Sequence, residues 1–413
     1  MPYPKVSARF FFKVVMAASV SWLGAGVGAA SQQDGVTLYG VIDLGIEYDR
    51  VRQEAVSGPA SSQALNQSFF GMSNGVQSGS RFGLRGVESL GGGVSIDFVL
   101  EGGFNPAQGT SSQGRRLFGR QSTIGVSLRD VGQFEVGRQI NLASNYFLSI
   151  DPFGEGFGQA NIGTSFGSTN TTRYGNMLLL QATPFSGLKV GAGYSFATEL
   201  AGIYEGGASC ITSQSCTAQV TGYNFVSNQN MRALTLGAQY RQGPLDLAFA
   251  YDRFYGDAAQ QVSSQSPSAW VLGGAYNLRI VKLSLAFGRS LNGLINGQNS
   301  GTGAAPPSGL TTSSGVSGAV LFLPNAQTSS YMFGVTAPLS SQTTILASWQ
   351  MMQPQGVLSD NAQFKTQQIY SAALTHQLSA RTDVYTYASY GLNYAMMNTA
   401  ESFVIGVGMR HKF

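Results

Sequence analysis

The sequence predicts an all-β protein, a transmembrane antiparallel β-barrel of about sixteen strands. Three observations carry that reading. Segments along the chain alternate large apolar residues with small, polar or charged ones, a period of two that belongs to strands. Only 11% of the 413 residues are charged, against about 25% in ordinary soluble domains. Short turns and long polar loops follow one another by turns, the asymmetry of a membrane barrel with two unlike rims.

The first thirty residues read as a secretory signal. Lys5, Arg9 and Lys13 give a basic start, residues 14–27 are apolar, and Gly28-Ala29-Ala30 offers a cleavage site before the polar Ser31-Gln32-Gln33-Asp34. The apolar run falls short of the roughly 20 residues that a helical span needs. Residues 31–413 then form one unit, since no Pro-rich or charge-rich linker divides them. Without the three leading cations the chain carries 21 basic and 20 acidic residues. No basic run interleaves with aromatics, so nucleic acid is not expected as a partner. No later segment is a candidate helical span, and only helices and closed barrels satisfy every backbone hydrogen bond in lipid.

Strands are expected to start near residues 36, 80, 94, 116, 133, 173, 188, 231, 245, 268, 281, 327, 343, 366, 382 and 402. In the first, Leu38, Ile42, Leu44, Ile46 and Tyr48 share one face and Thr37, Tyr39, Asp43 and Glu47 the other. Residues 188–196 set Leu188, Val190, Ala192, Tyr194 and Phe196 against Lys189, Gly191, Gly193 and Ser195. The last runs from Phe403 to Phe413, with Ile405, Val407 and Met409 on one side and Arg410 and Lys412 on the other. Gly91-Gly92-Gly93, Asp130-Val131-Gly132 and Gln242-Gly243-Pro244 are tight turns. Residues 53–79, 139–172, 200–230 and 292–325 are the long loops. Sixteen strands enclose a water-filled lumen, whereas side chains can fill a barrel of eight. Tyr48, Tyr194, Tyr240, Tyr251, Tyr276, Tyr331, Trp349 and Phe413 lie near strand ends, where girdles meet the bilayer interfaces.

Charge follows the same alternation. Arg81 and Arg85 oppose Phe82 and Leu84, Glu101 opposes Phe98 and Leu100, and Arg173 opposes Tyr174 and Leu178. These groups belong in water, because Arg on the lipid face near the midplane costs about 2–4 kcal/mol. Arg120 breaks the rule, having the parity of Ile124, Val126 and Leu128, so a bulge or a subunit interface is expected there. Arginine outnumbers lysine eighteen to six, and a ring of permanently charged guanidinium groups favours anions.

Several blocks resemble the trimeric general porins of the Gram-negative outer membrane, in particular the β-proteobacterial type. They are Val36-Thr37-Leu38-Tyr39-Gly40-Val41-Ile42-Asp43, Ser80-Arg81-Phe82-Gly83-Leu84-Arg85-Gly86-Val87-Glu88-Ser89-Leu90-Gly91-Gly92-Gly93, Leu117-Phe118-Gly119-Arg120-Gln121, Val136-Gly137-Arg138-Gln139, Thr172-Arg173-Tyr174-Gly175-Asn176 and the terminal Phe413. The resemblance implies a homotrimer in outer-membrane lipid, inserted by the machinery that reads a terminal Phe. It also implies a third loop, residues 139–172, folded into the lumen. Arg81, Arg120 and Arg173 would form the positive wall of the constriction, facing Glu101 on the wall and Asp151 on the loop. The segment Asp151-Pro152-Phe153-Gly154-Glu155-Gly156-Phe157 is similar to the family's loop tip in reordered form, which brings in Glu155. Arg85, Arg138 and Lys189 are further lumen candidates.

Other chemistry is sparse. Cys210 and Cys216, the two cysteines, sit in one long polar loop and would pair in an oxidising compartment. His376 and His411 have no Ser, Asp or metal-ligand constellation, so neither a catalytic residue nor a metal or other cofactor is expected. The expected function is passive diffusion of ions and small hydrophilic or anionic solutes, with a mild anion preference. The competing readings are a barrel protease or phospholipase, which needs a catalytic His on the loop rim, and an adhesin acting through its long loops.

Overall fold

A computed structural model describes residues 35–54, 64–114, 116–204, 230–256, 265–295, 298, 319–362 and 364–413. The leading segment 1–34, with its expected cleavage site, and the pair Cys210 and Cys216 lie outside them.

The strands are β1 (Gly35–Gln53), β2 (Leu65–Asn74), β3 (Arg81–Gly91), β4 (Val94–Asn105), β5 (Thr110–Ser111), β6 (Gln121–Leu128), β7 (Gly132–Ile140), β8 (Arg173–Phe185), β9 (Leu188–Ser195) and β10 (Ala201–Tyr204). They continue with β11 (Arg232–Gln242), β12 (Leu245–Tyr255), β13 (Ser268–Asn277), β14 (Lys282–Ile295), β15 (Ala319–Pro338), β16 (Thr343–Gly356), β17 (Gln367–Gln377), β18 (Thr382–Leu392) and β19 (Ala400–Lys412). Neighbours pair antiparallel around the wall, and β19 pairs with β1 to close it, from Val41 opposite Lys412 to Gln53 opposite Ala400. Two short strands lie outside the wall: β5 folds back on the end of β4, and β10 pairs parallel with the start of β15. β2 and β3 share one wall position, β2 pairing with the upper part of β1 and β3 with the lower. Sixteen positions therefore close the barrel, as the alternation predicts.

Two stretches differ from expectation. Residues 53–79 are not one loop, because β2 occupies its second half. Its polar and glycine positions, Asn66, Ser68 and Gly71, weaken the apolar alternation that would have marked it. Between β2 and β3 the chain leaves the wall as an inward hook, residues 75–80. Gly75, at φ +66°, starts it in a conformation that favours glycine. Asp43 holds it: the Ser78 N–H donates to Asp43 Oδ2 at 2.7 Å, and the Asp43 N–H donates to Ser80 Oγ at 3.0 Å. β6 begins at Gln121, later than the 116 expected, and this frees Arg120 from the alternation that makes Ile124 and Val126 face outward. A register shift in β7 between Gly137 and Gln139 does the same for Arg138.

Outward positions carry exposed apolar side chains, Leu285 at 61% and Leu272 at 54% among them. Inward positions are polar, small or buried. The expected girdle aromatics take outward parity: Tyr240 and Tyr276 lie at the short-turn end, and Tyr48, Tyr194, Tyr251, Tyr331 and Trp349 towards the long-loop end. His376 and His411 stand by short turns, bonded to Thr343 and Thr382.

The segment after β7 turns into the barrel. A short helix, Leu142–Phe147, is capped by the Asn141 side chain, and a second, Gly163–Phe166, follows the loop tip. Leu142, Tyr146, Phe147, Ile150, Ile162 and Phe166 are buried against inward alanines of the wall, including Ala233, Ala248, Ala250 and Ala286. Wall glycines make room for the bulkiest groups. A Cβ on Gly237 would lie 2.8 Å from the Tyr146 ring, and one on Gly334 would lie 2.2 Å from Pro152 Cγ.

Candidate functional site

The site is built from two halves of the lumen. On one half, β3, β6, β7 and β8 and the segments that lead into them present arginines. The Glu101 side chain lies among them: Arg120 Nε reaches Glu101 Oε1 at 2.7 Å, and Arg81 Nε reaches Oε2 at 3.5 Å. The Tyr39 hydroxyl donates to Oε2 at 2.9 Å. Arg81 also donates to the Gly79 carbonyl of the hook at 2.9 Å, so its guanidinium is fixed by both a carboxylate and a carbonyl. Arg173, the first residue of β8, donates to the Thr171 carbonyl at 2.8 Å and has no salt bridge among the described residues.

A second group adjoins the first. Arg116 and Arg138 both approach Glu199 Oε2, at 3.0 and 3.5 Å, and Arg138 Nε donates to the Gly119 carbonyl at 2.8 Å. Tyr39, Arg116 and Glu199 were not among the residues expected from sequence. Arg116 and Glu199 lie outside strands, where alternation assigns no side. Arg85 stacks over the Tyr39 ring at 5.4 Å. Lys189 faces inward and lies 5.8 Å from the ring of Tyr146 on the loop.

The other half is the loop and the wall that carries it. Gln350 Nε2 donates to the Ala160 carbonyl at 2.7 Å, Ser330 Oγ to the Ser165 carbonyl at 2.7 Å, and Lys282 Nζ to the Ser149 carbonyl at 2.9 Å. Gln159 bridges Ser389 and Ser402, on β18 and β19. At the tip the Phe157 N–H donates to the Val76 carbonyl of the hook, and Phe157 packs edge-on against Tyr385 and Tyr387.

Asp151 and Glu155 lie at this tip, but neither forms an ion pair with the arginines. The Asp151 carboxylate accepts the N–H groups of Phe153, Glu155 and Ile162 at 3.1, 2.8 and 3.3 Å, which folds the tip around it. Burial pushes its carboxyl up to about 6, against those three donors. Glu155 sits at φ +55° with its side chain buried. Burial and then the neighbouring Asp151 hold its carboxyl well above the usual carboxylate range, with Arg173 opposing. Sequence reasoning placed both acids on the inward loop, and the structure turns the charge of Asp151 toward the loop's own backbone.

A closed sixteen-strand barrel has counterparts among known proteins. Residues 15–394 match the model of the Gram-negative porin family. The chain belongs to that family. An outer membrane porin protein of Bordetella pertussis is 40% identical over 97% of this chain and all of its own length. Outer membrane porin protein 32 of Delftia acidovorans is 28% identical over 69% of this chain and 74% of its own. Among solved structures, the anion-selective porin from Comamonas acidovorans covers 92% of this chain and 100% of its own at a TM-score of 0.62 and 20% identity, a likeness of fold. This porin is an outer-membrane channel, and the protease, phospholipase and adhesin readings are not favoured.

Proposed function

We propose that this porin passes ions and small hydrophilic solutes by diffusion, with a modest preference for anions. The observation that carries the preference is a surplus of fixed positive charge. Arg81, Arg116, Arg120, Arg138 and Arg173 gather on one half of the lumen around two carboxylates, Glu101 and Glu199. Guanidinium stays charged at any working pH, and a narrow wet passage lined by one sign of charge concentrates the opposite ion. The Comamonas acidovorans porin, which shares the fold, is anion-selective and agrees with this sign. Arg81, Arg120 and Arg173 with Glu101 would bound the constriction, the loop tip with Asp151 and Glu155 would set its width, and Arg85, Arg138 and Lys189 would line the approach. Planar-bilayer recording across a salt gradient tests the reading: the reversal potential should take the sign of anion preference and step conductance should show an open pore. A cation-signed potential in dilute salt would overturn the selectivity.

The assembly is proposed as a homotrimer. Exposed Val36, Leu38, Phe70 and Met72 on the outer faces of β1 and β2 support it, being an apolar patch beside the closure seam. The exposed terminal Phe413, whose backbone pairs with Gly40, is available as the insertion signal. Residues 1–30 would be removed on export, and Cys210 and Cys216 would be joined in the mature chain.

A further inference from the structure

The inward hook, residues 75–80, touches both the charged wall and the loop tip, and one carboxylate holds it. β1 pairs with β3 as far as Val41 and with β2 from Leu44 onward, so the ladder on that side is interrupted at Ile42 and Asp43. The hook fills the interruption. The Gly75 N–H donates to the Asp43 carbonyl at 3.0 Å, and Ser80 Oγ accepts the Asp43 N–H and donates to the Asp43 carbonyl, each at 3.0 Å. The Asp43 side chain is fully buried and its two oxygens are shared: Oδ2 accepts the Ser78 N–H at 2.7 Å and Oδ1 the Tyr385 hydroxyl at 2.6 Å. A carboxylate taken out of water is costly unless donors surround it, and hydrogen bonds to a charged acceptor are about twice as strong as neutral ones. Asp43 therefore ties the hook to β18 across the closure seam.

Both sides of the site rest on this hook. Toward the wall, the Gly79 carbonyl accepts from Arg81 Nη1 at 2.9 Å, and a Cβ on Gly79 would stand 2.8 Å from Arg120 Nη1. The two guanidinium groups that hold Glu101 are thus fitted against one hook residue. Toward the loop, the Val76 carbonyl accepts the Phe157 N–H, and a Cβ on Gly156 would run into the Gln77 carbonyl. The hook backbone is a spacer, with the source of charge on one side and the rim of the aperture on the other.

We propose that Asp43 is a positioning residue for ion selection: by holding the hook, it sets the distance between the arginine wall and the loop tip. With the hook released, the passage widens and the guanidinium groups stand farther from passing ions, so mobile ions screen them better. The anion preference then falls. A carboxylate that acted by its charge alone would have the opposite effect, because its removal leaves the lumen more positive. The proposal rests on the anion-preferring reading of the wall for the sign of this change.

The test compares Asp43→Ala with Asp43→Asn in the full-length mature protein, by planar-bilayer recording in dilute salt and by hydrogen exchange. Asn is nearly isosteric: its Oδ1 accepts from Ser78 while its Nδ2 donates to the Tyr385 oxygen, so the hook stays and the charge goes. In Asp43→Ala the anion-over-cation permeability ratio should fall toward that of free diffusion, step conductance should rise, and the Ser78 amide should lose its protection. Asp43→Asn should keep the conductance and protection of the wild type, with an anion preference equal to or above it. Heat-modifiable gel mobility reports folding. Should Asp43→Ala not fold, Ser80→Ala, which removes only the hydroxyl between hook and β1, carries the same expectations on a smaller scale. Three results would each overturn the proposal: protection at Ser78 that survives the alanine substitution, protection lost with conductance and permeability ratio unchanged, or an anion preference raised alike by Ala and Asn. A cation-preferring wild type would count against the proposed selectivity and not against the hook, whose release is read by conductance and exchange on their own.

Discussion

Glu101 and Asp151 are both carboxylates inside one barrel, and they are used in opposite ways. On the wall, Glu101 bonds two guanidinium groups and a phenol, so its charge is spent on neighbours that are mostly charged themselves. On the loop, Asp151 bonds three backbone N–H groups and shapes the tip. Fixed charge and aperture therefore have separate origins here. Arginines supply the potential, and the loop, seated on alanines and glycines, supplies the shape.

Replacing Arg81, Arg120 and Arg173 together by Ser attacks the wall side and should have the largest effect. The reversal potential in dilute salt should move toward cations, because Glu101 and Glu199 would then be opposed by far fewer guanidinium groups. The shift should fade at 1 M salt, where the Debye length is about 3 Å. An unchanged reversal potential would detach selectivity from these residues.

The second substitution attacks the loop side. Gly334→Leu would drive a side chain into Pro152, already 2.2 Å from a Cβ at that position, and overpacking of this kind costs about 1–3 kcal/mol. Conductance should change and become noisier while the sign of the reversal potential is kept. A reversed sign would show that aperture and charge are not separable.

A smaller effect is expected from pH. With the Asp151 carboxyl pushed up to about 6 from its usual 3.8, the docked loop binds more protons than the undocked loop between those values. Docking is then strongest below about pH 4 and weakens as pH rises toward 6, by about 1–3 kcal/mol over the window. Hydrogen exchange at Phe153, Glu155 and Ile162, corrected for its intrinsic rate, should accelerate over that range in the wild type. In Asp151→Asn the acceleration should disappear, and its persistence would assign it to another group. Glu155→Gln should move the reversal potential less than the arginine substitutions do, since the Glu155 side chain is buried and forms no ion pair among the described residues. A clear cation-to-anion shift on that substitution would mean that Glu155 is ionised and felt by passing ions.

Much of this architecture was legible in the sequence, because alternation is a local signal that survives any tertiary context. It located the strand starts at β1, β4, β8, β9, β12 and β13 and the inward parity of Arg81, Glu101 and Arg173. It missed β2, whose polar positions hide the period, and it gave Arg120 a parity at odds with its place beside Glu101, an exception that the start of β6 at Gln121 accounts for. The loop seat was also unread, although Gly191, Gly237, Gly288 and Gly334 stand at inward positions where a water-filled lumen would favour polar side chains. A row of missing side chains on the wet face is a signal for something packed there. The pairing of Asp151 with its own backbone could not be read, since it depends on turns within the loop rather than on any period.

The hook at residues 75–80 bears on how the molecule is made. Its anchor, Asp43, lies on the first strand, and the Tyr385 hydroxyl of β18 donates to that same carboxylate at 2.6 Å. The loop tip leans on the hook and, through Gln159, on β18 and β19. It thus straddles the junction of the earliest and latest parts of the chain. The tip's seat is complete only where the last hairpin meets the first strand, so the narrowing of the lumen and the closure of the barrel depend on one another.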